Sequence, residues 1–156
     1  MAHGAQDNGD TRQDRQSLPS GPIARPDLTR EARKGIPEVI LAQSKTTTQV
    51  IAIARRFLES NGRALISRLT GEMTDEVIAT LPEAVPLRYD LAHALRLTVP
   101  TYRQPLTDGQ VGVITAGTSD VPAAEEARFI AEAMGCRVSR LRRCGTSTGC
   151  WSARRS

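Results

Sequence analysis

Apolar positions arrive in short bursts along this 156-residue chain, and the spacing within each burst indicates what it builds. Residues 37–41 (PEVIL) form a continuous apolar run too short for an amphipathic helix and predict a buried strand. Val50, Ile51, Ala54, Phe57 and Leu58 then fall at helical spacing within 47–59, with Thr46 or Thr47 as N-cap and Asn61-Gly62 as the stop. A strand is expected over 63–69 and a short helix over 74–81, ended by Pro82. Two more strands follow at 87–89 and 95–99, the second alternating Leu95, Leu97 and Val99 against Arg96 and Thr98. Residues 36–99 therefore predict strand, helix, strand, helix, strand, strand, a small N-terminal α/β or α+β domain over 27–100.

The stretch PTYRQPLTDGQ, with two prolines and a glycine, supplies a linker at 101–110, and a second unit starts beyond it. The apolar run 111–115 suits an interior parallel strand, and Gly117 allows a tight turn and close backbone approach. Ser119 or Asp120 can cap the next helix, Pro122 fits its first turn, and Glu125 and Glu126 suit the positive end of its dipole. Ala123, Ala127, Ile130, Ala131 and Met134 make one apolar stripe, Gly135 stops the helix, and 137–141 is the second strand. This is the first β-α-β unit of an open, flavodoxin-like parallel sheet, so the fold class is α/β. Ahead of both units, residues 1–26 are polar without apolar period and are expected to be disordered, followed by a short helix with Asp27 as N-cap and Gly35 just past its end.

Composition narrows the function classes. With 39% hydrophobic and 3% aromatic residues the core must be aliphatic. No run of about 18 apolar residues is present, and the N-terminus has neither an apolar signal segment nor an Arg-rich amphipathic pattern. A cytoplasmic protein without membrane partners is expected. The net charge of +4 divides unevenly: residues 136–156 hold six Arg and no acid, leaving 15 basic against 17 acidic side chains before them, net −2. The basicity is confined to a tail that also carries Cys136, Cys144, Cys150 and Trp151, with spacings that do not fit a zinc site. No metal ligands and no nucleic-acid partner are expected, and the tail reads as unstructured.

Chemistry concentrates in Gly117, Thr118, Ser119 and Asp120. A Gly-Thr-Ser-Asp turn between a parallel strand and a helix presents backbone N–H groups and two hydroxyls where an anion is stabilised. The Asp120 carboxylate suits a sugar hydroxyl or ring proton better than phosphate, so together they suit a nucleotide. The competing reading is that Ser119 and Asp120 only cap the helix. Lys45 is an anion contact on a loop or a solvated lysine, and His93 a packed or exposed side chain rather than a catalyst.

The string VGVITAGTSDVPAAEEARFIAEAMG resembles the opening of the carboxylase domain of the LarB family. The stretch RKGIPEVILAQSKTTTQVIAI is similar to that family's N-terminal domain at Arg33, Gly35, Pro37, Glu38, Lys45 and Thr46, so the likeness covers about 27–141. The turn resembles more loosely the phosphate-and-sugar-binding loop of the aminoimidazole ribonucleotide carboxylases of purine synthesis, which share the fold. The resemblance implies nickel-pincer cofactor synthesis. The pyridine ring of nicotinic acid adenine dinucleotide is carboxylated with CO2 or bicarbonate as co-substrate, with possible Mg, and the phosphoanhydride is hydrolysed. A cysteine adding to the pyridinium ring would make a neighbouring ring carbon nucleophilic toward CO2. The likeness gives Gly117, Thr118, Ser119 and Asp120 the nucleotide, with Lys45 as a further contact, and implies a homo-oligomer.

The likeness stops near Arg142. None of the three cysteines sits in a matching context, so the catalytic residues are unknown. Reading the codons of Gly145 to Ser152 from their third base can give Ile, His, Arg, Leu, Leu, Glu, similar to a family stretch. The expectation is a tail over 142–156 read in a shifted frame and a chain that no longer catalyses. The alternatives are an aminoimidazole ribonucleotide carboxylase and a non-catalytic nucleotide-binding fragment.

Overall fold

A computed structural model describes residues 35–143 and 151–155. The expectations of disorder over 1–26 and of a helix starting at Asp27 lie outside the described residues, as do Cys144 and Cys150. The first sheet contains β1 (Ile40–Leu41), β2 (Arg63–Ser67), β3 (Val85–Tyr89) and β4 (Ala94–Thr98) in the order β1-β2-β4-β3. Helices α1 (Thr47–Asn61) and α2 (Gly71–Thr80) alternate with the strands as expected. β1 runs parallel to β2, while β2 and β3 both run antiparallel to β4.

Local chemistry accounts for the helix ends. Thr46 caps α1, its hydroxyl accepting from Gln49 N while the Gln49 side chain accepts from Thr46 N at 3.0 Å, a reciprocal capping box. Helix α2 starts three residues before the expected 74, because Thr70 accepts from Met73 N at 3.2 Å and supplies an N-cap. Thr74 is instead an interior helical residue, its hydroxyl donating to Thr70 O at 2.8 Å. The strand expected over 37–41 contracts to Ile40–Leu41, which pairs only with Ile66 and Ser67 at the end of β2.

β2 is buried along its whole length because both faces of the sheet are covered. Ala64 and Ile66, with Leu95 and Leu97 of β4, face Val50, Ala54, Phe57 and Val77 of α1 and α2. Leu65, with Tyr89, Ala92 and Ala94, faces the other way into a second cluster built around Phe129 and Ala133.

Those last two residues belong to α3 (Val121–Ala133), the helix of the second unit. That unit is β5 (Gln110–Thr115), a 3-10 turn at Thr118–Asp120, α3, and β6 (Arg137–Arg143) parallel to β5. The expected β-α-β unit is therefore present, and the fold is α/β with a parallel-containing sheet. A further strand, β7 (Trp151–Arg155), pairs antiparallel with β6, which corrects the expectation of an unstructured tail: the free edge of β6 finds a strand.

Helix α3 serves both sheets, and the interior face it presents differs from the expected stripe. Phe129, Ala131 and Ala133 are buried, whereas Ala123, Ala127 and Met134 are exposed. The helix descends β2 in the reverse direction: Ser67 hydrogen-bonds Glu126 at 2.7 Å, Leu65 packs with Phe129, and Arg63 donates to the Ala133 carbonyl. Two strand residues advance roughly 6.6 Å and one helical turn about 5.4 Å, so the two repeats stay nearly in step. Gln104 also donates to Ala133 O at 2.9 Å, so two side chains from outside the helix satisfy its C-terminal carbonyl.

The crossing from β4 to β5 packs against the end of α3. Gly135 has φ +84°, and a Cβ there would lie 2.0 Å from the Pro105 carbonyl oxygen. Thr107 N donates to Gly135 O at 3.0 Å in the same contact. Only glycine meets both the backbone angle and the approach. No helix among the described residues is long and apolar enough to cross a membrane.

Candidate functional site

Two loops and a cleft gather at the carboxyl ends of β1, β2 and β5. The Gly117–Asp120 loop leaves the end of β5, where ligands of open parallel sheets bind. All four of its residues are exposed. Gly117 has φ −144° and ψ 172°, extended backbone open to any residue, and a Cβ would meet only Ser119 Oγ at 3.7 Å. The tight turn expected of Gly117 is thus not what the backbone requires there.

The capping role open to Ser119 and Asp120 is not realised. A 3-10 turn at Thr118–Asp120 leads into α3, Asp120 sits at the cap position in helical conformation, and neither segment has a side-chain cap bond. Among the described residues, Ser119 Oγ and Asp120 Oδ1 approach only each other, at 3.4 Å. Pro122 does occupy the first turn, as expected. Glu125 and Glu126 do not serve the helix dipole. Glu125 is 5% exposed and accepts from Arg128 at 2.9 Å, and Glu126 accepts from buried Ser67.

Beside the loop, a cleft of about 430 Å3 opens between the first sheet and the first turns of α3. Gln43, Arg68, Leu69, Ala92 and His93 line one side, and Pro122, Ala123 and Glu126 the other. Arg68 and His93 were not singled out by sequence as site residues, yet they are the described non-glycine residues with positive φ, 62° and 49°. The terminal pair of the β2/β4 ladder, Ser67 with Ala94, sets Arg68 directly across from His93. Leu69 N donates to His93 O at 2.9 Å and fixes the two turns together. Left-handed backbone costs a side-chain-bearing residue about 1 kcal/mol or more, and such residues cluster at functional sites. Arg68 donates to Gln43 Oε1 at 3.2 Å, and the His93 imidazole has no hydrogen-bond partner among the described residues. Lys45 does not line the cleft: its ammonium donates to Leu41 O at 2.9 Å, tying down the β1–α1 turn.

Behind the cleft a polar network fixes α3. Tyr89 donates to Glu132 at 2.7 Å, its ring meets Phe129 edge-on at 5.0 Å, and the Arg128 guanidinium lies 5.3 Å from the Tyr89 ring centre. Burial, with the hydrogen bond and charge of Glu132, pushes the Tyr89 phenol up to about 12. Burial opposes the charge of Arg128, but its bond to Glu132 and the nearby Glu125 more than offset this and leave its pKa raised. Cys136 stands at the opposite end of the β5/β6 sheet, half-buried, with Thr107 Oγ 3.6 Å from its sulfur. The length of β5 separates it from the loop by on the order of 20 Å, so it cannot act on a ligand held there.

Residues 18–97 match the family described as the LarB/PurE-like N-terminal domain. An uncharacterized protein of Methanocaldococcus jannaschii is 30% identical over 111 residues, covering 70% of this chain and 43% of that protein. The chain thus spans less than half the length of this curated relative.

Proposed function

From the premise that this chain belongs to the LarB/PurE-like family, with a carboxylase-family kind of function, we propose that it takes part in carboxylating a pyridine nucleotide for nickel-pincer cofactor synthesis. Its substrate on this reading is nicotinic acid adenine dinucleotide, with CO2 or bicarbonate as the carbon source. The contribution of the described residues is to hold the nucleotide. Gly117, Thr118 and Ser119 take a phosphate on backbone N–H groups and hydroxyls, and Asp120 accepts from a sugar hydroxyl. The observation that carries this reading is that the loop's polar side chains do no capping for the fold and stand exposed at the carboxyl end of a parallel strand. No nucleophile is assigned, since Cys136 is at the wrong end of the sheet.

The test separates binding from turnover. Saturation-transfer NMR on the purified chain with nicotinic acid adenine dinucleotide should show binding that Ser119→Ala and Asp120→Asn each weaken about tenfold. Absence of binding to the native chain would refute the reading, and preference for aminoimidazole ribonucleotide would move it to purine synthesis. Labelled bicarbonate in the same samples reports whether this chain alone completes carboxylation.

A further inference from the structure

The cleft between Arg68 and Glu126 has features that the loop reading does not use. One wall is rich in donors for a ligand. These are the Arg68 guanidinium, the His93 imidazole N–H, and the Gln43 amide NH2, whose oxygen is already taken by Arg68. Across from them, Glu126 uses one carboxylate oxygen to accept from Ser67 at 2.7 Å and keeps the other as an acceptor. Buried Leu69 and Ala92 give the cleft an apolar lining. The two residues that supply the strongest donors are also the two held in left-handed backbone, across from one another at the end of the β2/β4 ladder. No hydrogen bond within the described residues uses the His93 ring that this conformation places at the cleft.

We propose that the cleft binds a small hydroxylated oxyanion, of the sugar-phosphate or hydroxy-acid class. The phosphate or carboxylate is seated on Arg68, His93 and Gln43, a hydroxyl donates to Glu126, and the carbon frame lies over Leu69 and Ala92. An inorganic anion seated on Arg68 has no alcohol group extending across the cleft to Glu126, and a neutral sugar lacks the charge for Arg68. Both features are needed on one ligand. The volume of about 430 Å3 accommodates such a molecule. The site is separate from the nucleotide loop and does not depend on that assignment.

The chain has two histidines, His3 and His93, so imidazole NMR resonances report the cleft with His3 as an internal reference. Ribose 5-phosphate and tartrate, as probes of the two classes, are titrated beside ribose and inorganic phosphate. The expected result is a saturable shift of His93, and none of His3, with at least one of the first two. Ribose should give none and inorganic phosphate a weaker one. Arg68→Gln should weaken binding about tenfold or more, as expected for loss of a charge-assisted contact. Glu126→Gln should weaken the hydroxylated probe more than phosphate. Circular dichroism confirms that each variant is folded, and His93→Gln, followed by the ligand's own resonances, is the second variant should Arg68→Gln not fold. The proposal is overturned if neither hydroxylated probe shifts His93 saturably, or if the folded Arg68 or His93 variant binds like the native chain. Ser119→Ala and Asp120→Asn should leave these titrations unchanged, so this proposal and the nucleotide reading fail separately.

Discussion

Replacing Phe129 by alanine tests how α3 is seated. Phe129 is fully buried, packed against Leu65, Ala92 and Ala94, with Tyr89 edge-on at 5.0 Å and 66°. Truncating a buried phenylalanine costs about 3–5 kcal/mol, of which the aromatic pair contributes roughly 0.5–1.5 kcal/mol. A small domain has only about 5–15 kcal/mol of stability, so the loss is a large fraction of the whole. Phe129→Leu keeps most of the buried volume and should cost about 1–1.5 kcal/mol. Met134 lies on the stripe that periodicity favours but is 37% exposed, and Met134→Ala should change stability by about 0.5 kcal/mol or less. Urea denaturation measures all three: with a slope of about 1.5 kcal/mol per molar, Phe129→Ala should lower the midpoint by about 2–3 M with the slope unchanged. A loss below about 1 kcal/mol for Phe129→Ala, or a larger loss for Met134→Ala, would refute this packing.

Three further outcomes follow from the same structure. Gly135→Ala must both adopt φ +84° and displace the Pro105 carbonyl, and should cost on the order of 2–4 kcal/mol. Gly112→Ala, with nothing within 4 Å of the added methyl, should be near neutral in the same denaturation series. Tyr89 should ionise at about pH 12 in an ultraviolet titration. Its folded pKa lies above the unfolded value of about 10, so its contribution to stability is complete below pH 10 and fades as the pH rises through 12. Tyr89→Phe should abolish that dependence, and complete ionisation of Tyr89 by pH 10.5 would contradict the buried bond to Glu132. His93→Gly relieves left-handed backbone and should raise stability by about 0.5–1 kcal/mol while the cleft loses a donor, as thermal denaturation and ligand titration would show together.

What could be read in advance was whatever depends on near neighbours in sequence. The Thr46 cap, the spacing of Val50, Ala54, Phe57 and Leu58, and the stop at Gly62 all lie within one helix, and α1 forms as expected. The same logic misassigned α3. Ala123, Ala127 and Met134 have the right period, but the face that is buried is decided by β2, more than fifty residues earlier. Glu125 looks like a surface residue until Arg128 pairs with it. The candidate sites were legible only in part. The Gly-Thr-Ser-Asp loop announces itself by residue type, whereas Arg68 carries none of the usual marks of left-handed backbone and His93 only the modest enrichment of histidine there. The available signal was geometric: a four-residue connection, 90–93, closing the β3/β4 hairpin, with Arg68 across the ladder from its last member.

The shared helix also bears on how the protein can be divided for study. A fragment ended at residue 100 would contain every strand of the first sheet and both of its own helices, yet it would bare Leu65, Tyr89, Ala92 and Ala94 on one continuous face. Such a face invites self-association, and low solubility of that fragment would say nothing against the fold itself. A well-behaved first half has to be expressed together with residues 121–133, tethered through the natural crossing or through a redesigned linker.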